Sequence, residues 1–122
     1  MNVLFVDDEP AILGSMRRLL RSTRGHWQAH FVESAAGALE YIATHPVDVV
    51  VTDCQMPGTN GIALLEQLES RYPQVIRIML SGQVSLGAHT LRPGLAHEFF
   101  AKPCTISELC EAIERIQPSA AA

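Results

Sequence analysis

The sequence predicts a doubly wound α/β fold, in which a five-stranded parallel sheet of strand order 2-1-3-4-5 lies between two layers of helices. Five short apolar runs alternate with segments whose apolar residues recur at helical spacing, a pattern typical of right-handed crossovers between parallel strands. The runs are nearly continuous, as in strands that are covered on both faces. Of the two common orders for such sheets, 2-1-3-4-5 fits five strands and reverses between the first and third strands. At 122 residues the chain is long enough for one such domain.

The first strand and the first helix are predicted within residues 3–24. Residues 3–6 are fully apolar, and the acidic residues after them are favoured in the first turn of a helix. Pro10 also suits that turn, because its missing N–H leaves no helical hydrogen bond unmade. The helix ends before Gly25 and should bury one stripe opposite a basic face. The stripe consists of Ile12, Leu13, Met16, Leu19 and Leu20, and the basic face of Arg17, Arg18, Arg21 and Arg24.

The second strand, over residues 27–32, should lie nearer an edge of the sheet because it carries Gln28 and His30. Ser34 can cap the second helix, which stops before Pro46. Its buried stripe is predicted to consist of Ala35, Ala38, Leu39 and Ile42.

The central strand is predicted over residues 47–51, an apolar run interrupted only by Asp48. Asp53 comes where this strand should end, and residues 56–61 then form a loop rich in proline and glycine. Open parallel sheets bind ligands outside the carboxyl ends of their strands. Asp53 is therefore the first candidate for chemistry.

The second half of the chain contains the last two strands, over residues 75–80 and 98–101. A third helix before them ends at Pro73. Between residues 83 and 96 we expect a short, loosely held helix, because glycine weakens a helix by about 1 kcal/mol and proline by about 3. Thr105 and Glu108 form a capping box for the last helix. The stripes of these outer helices are Ile62, Leu65, Leu68 and Tyr72, and then Ile106, Leu109, Ile113 and Ile116.

Composition argues against two classes of function. The net charge of −4, without a run of Lys or Arg, argues against direct binding to nucleic acid. No apolar stretch approaches the roughly 20 residues of a membrane helix, so we expect a cytoplasmic protein. Cys54, Cys104 and Cys110 lack the spacing of metal ligands and are expected to be structural thiols. One domain is expected over residues 1–118, with a frayed tail over residues 119–122.

The predicted strand ends bring charged residues to one edge of the sheet. Asp7 and Asp8 follow the first strand and Asp53 follows the third, on either side of the point where the strand order reverses. Two carboxylates about 4 Å apart repel each other by about 4 kcal/mol at an effective dielectric of 20. Either the pKa values of these carboxyl groups rise or a cation neutralises them, and a hard divalent ion such as Mg²⁺ is the natural solution. Ser81 and Lys102, at later strand ends, offer a hydroxyl and a cation to a phosphoryl group.

Four short motifs follow predicted strands and together span almost the whole chain. They are VDD at residues 6–8, D-x-x-M-P-G-x-x-G at residues 53–61, Ser81-Gly82 and Lys102-Pro103. In this order they resemble the receiver domains of two-component response regulators. The resemblance implies a CheY-like, flavodoxin-like three-layer sandwich, with the receiver (response regulatory) domain over residues 1–118. The stretches LSGQ and HEFFAKPC are similar to receivers joined to HD-type or HDOD output domains.

By this resemblance Asp53 is the phosphoacceptor, which takes the phosphoryl group of a histidine kinase phosphohistidine to give an aspartyl phosphate. Lys102 and Ser81 would hold phosphoryl oxygens, so that phosphotransfer and autodephosphorylation are self-catalysed. The resemblance implies four residues for the Mg²⁺ site: Asp8, Asp53 and the Gln55 main-chain carbonyl directly, and Asp7 through water.

The same resemblance implies a switch and a set of partners. Ser81 would move towards the phosphoryl group, and Phe99 would take up the space it leaves. Family members often carry tyrosine there, so a phenylalanine should give a smaller shift. The Lys102–Pro103 peptide bond is expected to be cis. The expected partners are a histidine kinase or phosphotransfer protein, a fused effector domain or protein target, and a second copy bound through the last two helices and the last strand, where Leu86, Leu91 and Leu95 are available.

Two other functions stay open on the sequence alone. A module that keeps the fold only for binding would not need the whole set of polar residues at the strand ends. A metal-dependent phosphohydrolase acting through an aspartyl phosphate would need a second acid to activate water and a lid over its substrate. No insertion in this chain is long enough to form such a lid.

Overall fold

The computed structural model describes residues 2–7, 9–23, 27–53, 61–81, 96–101 and 106–116. The predicted short helix within residues 83–96 falls almost wholly outside the described residues, as does the predicted tail. The described strands are β1 (Asn2–Val6), β2 (Gln28–Val32), β3 (Val49–Asp53), β4 (Ile76–Ser81) and β5 (Glu98–Ala101). The described helices are α1 (Pro10–Thr23), α2 (Ala35–Thr44), α3 (Gly61–Arg71) and α4 (Ile106–Ile116).

The five strands form one parallel sheet in the order β2-β1-β3-β4-β5, which confirms the predicted topology. β2 is an edge strand, as its polar residues indicated, and its side chains are exposed or only partly buried. β1 lies between β2 and β3, and its last residue, Val6, pairs with Val32 on one side and with Thr52 on the other. The strand order therefore reverses at β1, between the ends of β1 and β3.

Two apolar cores enclose the sheet, one on each face. α2 and α3 pack against the face that contains Leu4 and Val50. α1 and α4 pack against the opposite face, which contains Phe5 and Val51. Successive strand residues thus enter different cores, and both are covered by helices, so the strands appear in sequence as continuous apolar runs. Each large side chain buried in this way stabilises the fold by about 1.5 to 3 kcal/mol.

Helix α2 has the ends that its sequence predicts. The Gly37 N–H donates to Ser34 Oγ at 3.0 Å, which satisfies one of the unpaired donors of the first turn. At the other end the His45 N–H donates to the Tyr41 carbonyl at 2.9 Å, before Pro46. The cap and the proline together limit this helix to ten residues.

Two details differ from the sequence prediction. Leu19, which the helical pattern assigned to the buried stripe of α1, is 48% exposed, whereas Leu20 is buried. Since successive helical residues are about 100° apart, a stripe that faces the sheet through Leu13 and Leu20 leaves Leu19 at its margin. The central strand begins two residues later than predicted, at Val49. None of the described helices is long and apolar enough to cross a membrane.

Candidate functional site

The carboxyl ends of the strands lie along one edge of the sheet, which we call the site edge. Asp7 follows β1 directly, and Asp53 is the last residue of β3. Val6 pairs with Thr52, and Asp7 and Asp53 are the residues that directly follow this pair. Neighbouring strands are about 4.8 Å apart, and the main chains of the two aspartates are therefore side by side.

Asp7 is buried, with only 2% of its surface exposed. Its N–H donates to the Val32 carbonyl at 3.1 Å, which joins the end of β1 to the end of β2. Its Oδ1 accepts from the Glu9 N–H at 3.0 Å, a side-chain turn that aspartate favours just before a helix. These bonds hold a carboxylate in a position where burial is costly for a charge, and such a position suits a cation nearby.

Ser81 ends the strand next to β3. Asp53 pairs with Leu80, so Ser81 lies one residue further along β4 at the same edge. Ser81 in turn pairs with Ala101, the last residue of β5. Lys102 is the next residue in sequence.

The structure thus brings together Asp7 and the main chains of Asp53 and Ser81, with Phe99 in the middle of β5. The side chains of Asp53, Ser81 and Phe99 lie outside what the structure describes. The other predicted site residues, which also lie outside the described residues, are Asp8, Gln55, Lys102 and Pro103.

Asp7 is a donor of the kind that suits Mg²⁺. The ion prefers carboxylate, carbonyl and water oxygens, and the buried carboxylate residue Asp7 follows β1 beside the end of β3. Among the described residues no group of three His, Cys, Asp or Glu side chains is placed to hold a metal ion. Three of the four expected ligands are not described, namely Asp8, Gln55 and the Asp53 side chain.

At the opposite edge, where the strands begin, the structure contains a polar cluster that the sequence pattern did not predict. Arg77, in β4, is 5% exposed. Its guanidinium donates to the carbonyls of Pro73 at 3.5 Å and Val75 at 3.3 Å, and it lies 4.0 Å from Glu69 of α3. The only signal in the sequence was a single arginine within an apolar strand, which is unusual because buried charge requires partners.

Three parallel rings form a second feature that sequence reasoning missed. The Tyr41 ring lies between His30, at 4.0 Å, and His45, at 4.2 Å, with the planes within 10° and 3° of parallel. Tyr41 and His45 are four residues apart in sequence, a spacing that places side chains on one side of a helix. His30 comes from β2, and its approach could not be inferred before the topology was known.

The decisive comparison is with families of known domains. The response regulator receiver domain matches residues 3–114 of this chain. The chain belongs to the response regulator receiver family. Receiver domains are switches of two-component signalling that work with histidine kinases and often sit with effector domains. The family that the four motifs indicated is thereby confirmed.

Several known proteins resemble this receiver domain. NtrC, a DNA-binding transcriptional regulator of Escherichia coli, is 33% identical over 115 residues, which are 93% of this chain and 24% of that protein. The signal receiver domain of an HD domain-containing protein from Pseudomonas fluorescens Pf-5 is 29% identical with a TM-score of 0.83, over 93% of this chain and 91% of that chain. The receiver spans about half or less of the length of the curated relatives it matches.

A third neighbour is similar in fold alone. The response regulator TrrA from Thermotoga maritima, solved in complex with Mg²⁺ and BeF, has a TM-score of 0.84 at 24% identity. The alignment covers 94% of this chain and 97% of that one.

Proposed function

We propose that this receiver domain accepts a phosphoryl group on Asp53 from the phosphohistidine of a histidine kinase or phosphotransfer protein. The observation that carries this proposal is the position of Asp53. It ends the central strand, one residue beyond the Val6–Thr52 pair and next to the buried Asp7. A carboxylate there can attack phosphorus from the open side of the site edge, with a second carboxylate alongside to help bind a metal ion.

The metal ligands in this proposal are Asp8, Asp53 and the Gln55 carbonyl, with Asp7 acting through water. Bound Mg²⁺ would neutralise charge on the carboxylates and on the incoming phosphoryl group. The Asp7 side chain accepts from the Glu9 N–H, which restricts its orientation at the site edge. That TrrA was solved with Mg²⁺ and BeF agrees with this assignment.

Lys102 and Ser81 complete the site in this proposal by holding phosphoryl oxygens. Asp53 gains a P–O bond as the histidine nitrogen leaves, and the protein contributes positioning and charge, without a separate general base. Phosphotransfer and the later hydrolysis of the aspartyl phosphate would both be self-catalysed. The protein would then be a switch that turns over its own phosphoryl group, and it would work in the cytoplasm, where its kinase is phosphorylated.

The proposed switch couples Ser81 to Phe99. β4 and β5 are neighbours, and Phe99 pairs with Met79, two residues before Ser81. A movement of Ser81 towards the phosphoryl group would therefore be transmitted to β5 over one or two residue steps. Coupling free energies of this kind are about 1 to 3 kcal/mol. The readers of the switch would be a fused effector domain, a protein target, or a second copy bound through the predicted helix within residues 83–96, β5 and α4.

The test is the intact mass of the protein after incubation with acetyl phosphate, with and without Mg²⁺. The parent should gain one labile phosphoryl group only when Mg²⁺ is present, and Asp53→Asn should gain none. Asp48→Asn is the matched control, because Asp48 precedes the same strand at the opposite edge. It should be phosphorylated like the parent.

Phosphorylation of Asp53→Asn to the parent's extent would contradict the assignment. If the parent gains no mass, a beryllofluoride titration with Mg²⁺ separates two cases. Binding that requires Asp53 indicates a competent site with rapid hydrolysis, whereas absence of binding indicates a module that keeps the fold only for binding.

A further inference from the structure

His97 and Arg77 bind each other through two hydrogen bonds at the start of β5. The His97 N–H donates to the Arg77 carbonyl at 2.7 Å. The Arg77 N–H donates in return to Nδ1 of the His97 ring at 2.9 Å. In a parallel ladder a main-chain N–H normally donates to a carbonyl of the neighbouring strand. Here the imidazole supplies that acceptor, one residue before β5 begins at Glu98.

The use of an imidazole in place of a carbonyl as acceptor matters because β5 is short and lies at an edge of the sheet. It has four residues, and in the described sheet β4 is its neighbour. A strand of this length is held by few ladder bonds, so one more bond at the residue just before it is a substantial part of its attachment. Lys102 follows β5 directly in sequence, and Phe99 is the second residue of β5.

The imidazole can accept this bond only while Nδ1 carries no proton, since a protonated ring is a donor at both nitrogens. The side chain is exposed on its other side, so the proton can come from solvent. Protonation would place an N–H group at Nδ1 opposite the Arg77 N–H, so that two donors would face each other without an acceptor. The charge that acts on the ring is that of Arg77 on β4, whose guanidinium lies 4.0 Å from Glu69 of α3.

We propose that His97 is a positioning residue for phosphotransfer. Its neutral ring binds the start of β5 to Arg77 and so holds in place the strand that leads into Lys102. Protonation of the ring breaks this bond and releases the start of β5. This inference rests on the proposed function of Asp53 and Lys102. Burial and the neighbouring Arg77 charge both lower the pKa of His97 from its ordinary value of 6.5, in agreement with a ring that stays neutral in the folded protein. At acid pH the receiver would then accept phosphoryl groups more slowly than the pH dependence of its site residues alone would predict.

His97→Asn is the informative variant, because the asparagine Oδ1 can take the place of Nδ1 as acceptor but does not titrate. His97→Leu removes the acceptor and puts an apolar side chain of similar size in its place. His45→Asn is the control, since His45 is also exposed and its Nδ1 also makes hydrogen bonds, 2.8 Å from Thr44 Oγ1 and 3.2 Å from the Tyr41 carbonyl.

The first measurement does not depend on phosphorylation. In ¹H–¹⁵N spectra recorded between pH 8 and pH 5, the Arg77 amide should shift with the same midpoint as the His97 ring, below 6.5. That shift should be absent in His97→Asn and unchanged in His45→Asn. Saturating Mg²⁺ and beryllofluoride should lower the midpoint further, because coupling between two sites is reciprocal. An Arg77 amide that does not follow the His97 titration would overturn the inference.

The second measurement is the rate of Asp53 phosphorylation by acetyl phosphate at saturating Mg²⁺. The ratio of the parent rate to the His97→Asn rate removes the pH dependence of the chemistry itself. It should be near one above pH 7 and fall about fivefold below the His97 midpoint, the effect of one hydrogen bond. His97→Leu should be slow at every pH. A flat ratio in proteins that are phosphorylated contradicts the inference alone. No phosphorylation in any variant, together with no beryllofluoride binding that requires Asp53, contradicts the proposed function.

Discussion

Asn2 and Asp48 exchange two hydrogen bonds at the edge where the strands begin. The Asn2 N–H donates to Asp48 Oδ2 at 2.8 Å, and the Asp48 N–H donates to the Asn2 carbonyl at the same distance. The Asp48 carbonyl also accepts from the Ile76 N–H at 3.0 Å. One polar residue thus joins the starts of β1, β3 and β4, which explains why a carboxylate interrupts an apolar run.

Asp48→Ala should lower the free energy of unfolding by about 1 kcal/mol, because it leaves the Asn2 N–H without its side-chain acceptor. Asp48→Asn keeps an oxygen at that position and should lower the free energy of unfolding by less. Urea unfolding of both variants beside the parent measures the difference. If the alanine variant is as stable as the parent, the side-chain bond contributes nothing and only the main-chain bonds matter.

The contrast between Leu19 and Leu20 of α1 gives a prediction on packing. Leu20 is buried against the sheet, and Leu20→Ala should cost about 3 kcal/mol, as expected for a truncation that leaves a cavity. Leu19 is 48% exposed, and Leu19→Ala should change stability by no more than about 0.5 kcal/mol. Equal losses in thermal or urea unfolding would mean that both residues are covered in solution.

The ring stack should make stability depend on pH. Burial, the nearby His45 and the Arg17 charge each lower the pKa of His30 from its ordinary value of 6.5. A histidine whose pKa is lowered by folding takes up protons more readily in the unfolded chain. Its contribution is therefore fully present above pH 6.5 and is lost as the pH falls towards the lower pKa of the folded state.

His30→Gln should flatten this part of the profile when urea midpoints are compared between pH 7.5 and pH 5. The ring is exposed, so the effect should be small and should shrink further in salt. His97 contributes a slope of the same sign, because its pKa is lowered as well. The double variant with His97→Asn should be flatter than either single one, and an unchanged slope would rule out both rings as its source.

Asp7→Asn should weaken Mg²⁺ binding by about tenfold, a loss of about 1.4 kcal/mol. The amide oxygen can still accept from the Glu9 N–H, so the local turn should persist. Without Mg²⁺ the variant should be at least as stable as the parent, because a buried charge has been removed. Calorimetric titration with Mg²⁺ and urea unfolding test the two parts, and unchanged affinity would exclude Asp7 from the metal site.

Much of the fold could be predicted because local and global signals agree. Ser34 and Pro46 limit α2 from either side, and the bounds of β5 match the predicted residues 98–101. The central strand was placed two residues early, since hydropathy cannot distinguish a strand residue from one that leads into it. Leu19 was misplaced for a similar reason, because helical spacing identifies a stripe but not its width.

The candidate site was predictable in position more than in geometry. Asp7, Asp53 and Ser81 come to one edge because parallel strands share their direction, and that follows from the pattern alone. The bond from Glu9 to Asp7 could not be predicted, since it depends on how the chain turns after β1. The pairing of Arg77 with His97 spans 20 residues and needs the β4–β5 register.

The position of β1 also has a consequence for how the chain can fold. Its five residues are first in sequence but lie between β2 and β3, and among the described strands β2 pairs only with β1. No stable pair can therefore form from local hairpins, and assembly must wait for long crossovers, which favours slow folding. Proteolytic removal of β1 would leave β2 without its neighbour and open the apolar edge of β3. Such a clipped chain should aggregate even though every residue of β3, β4 and β5 is intact.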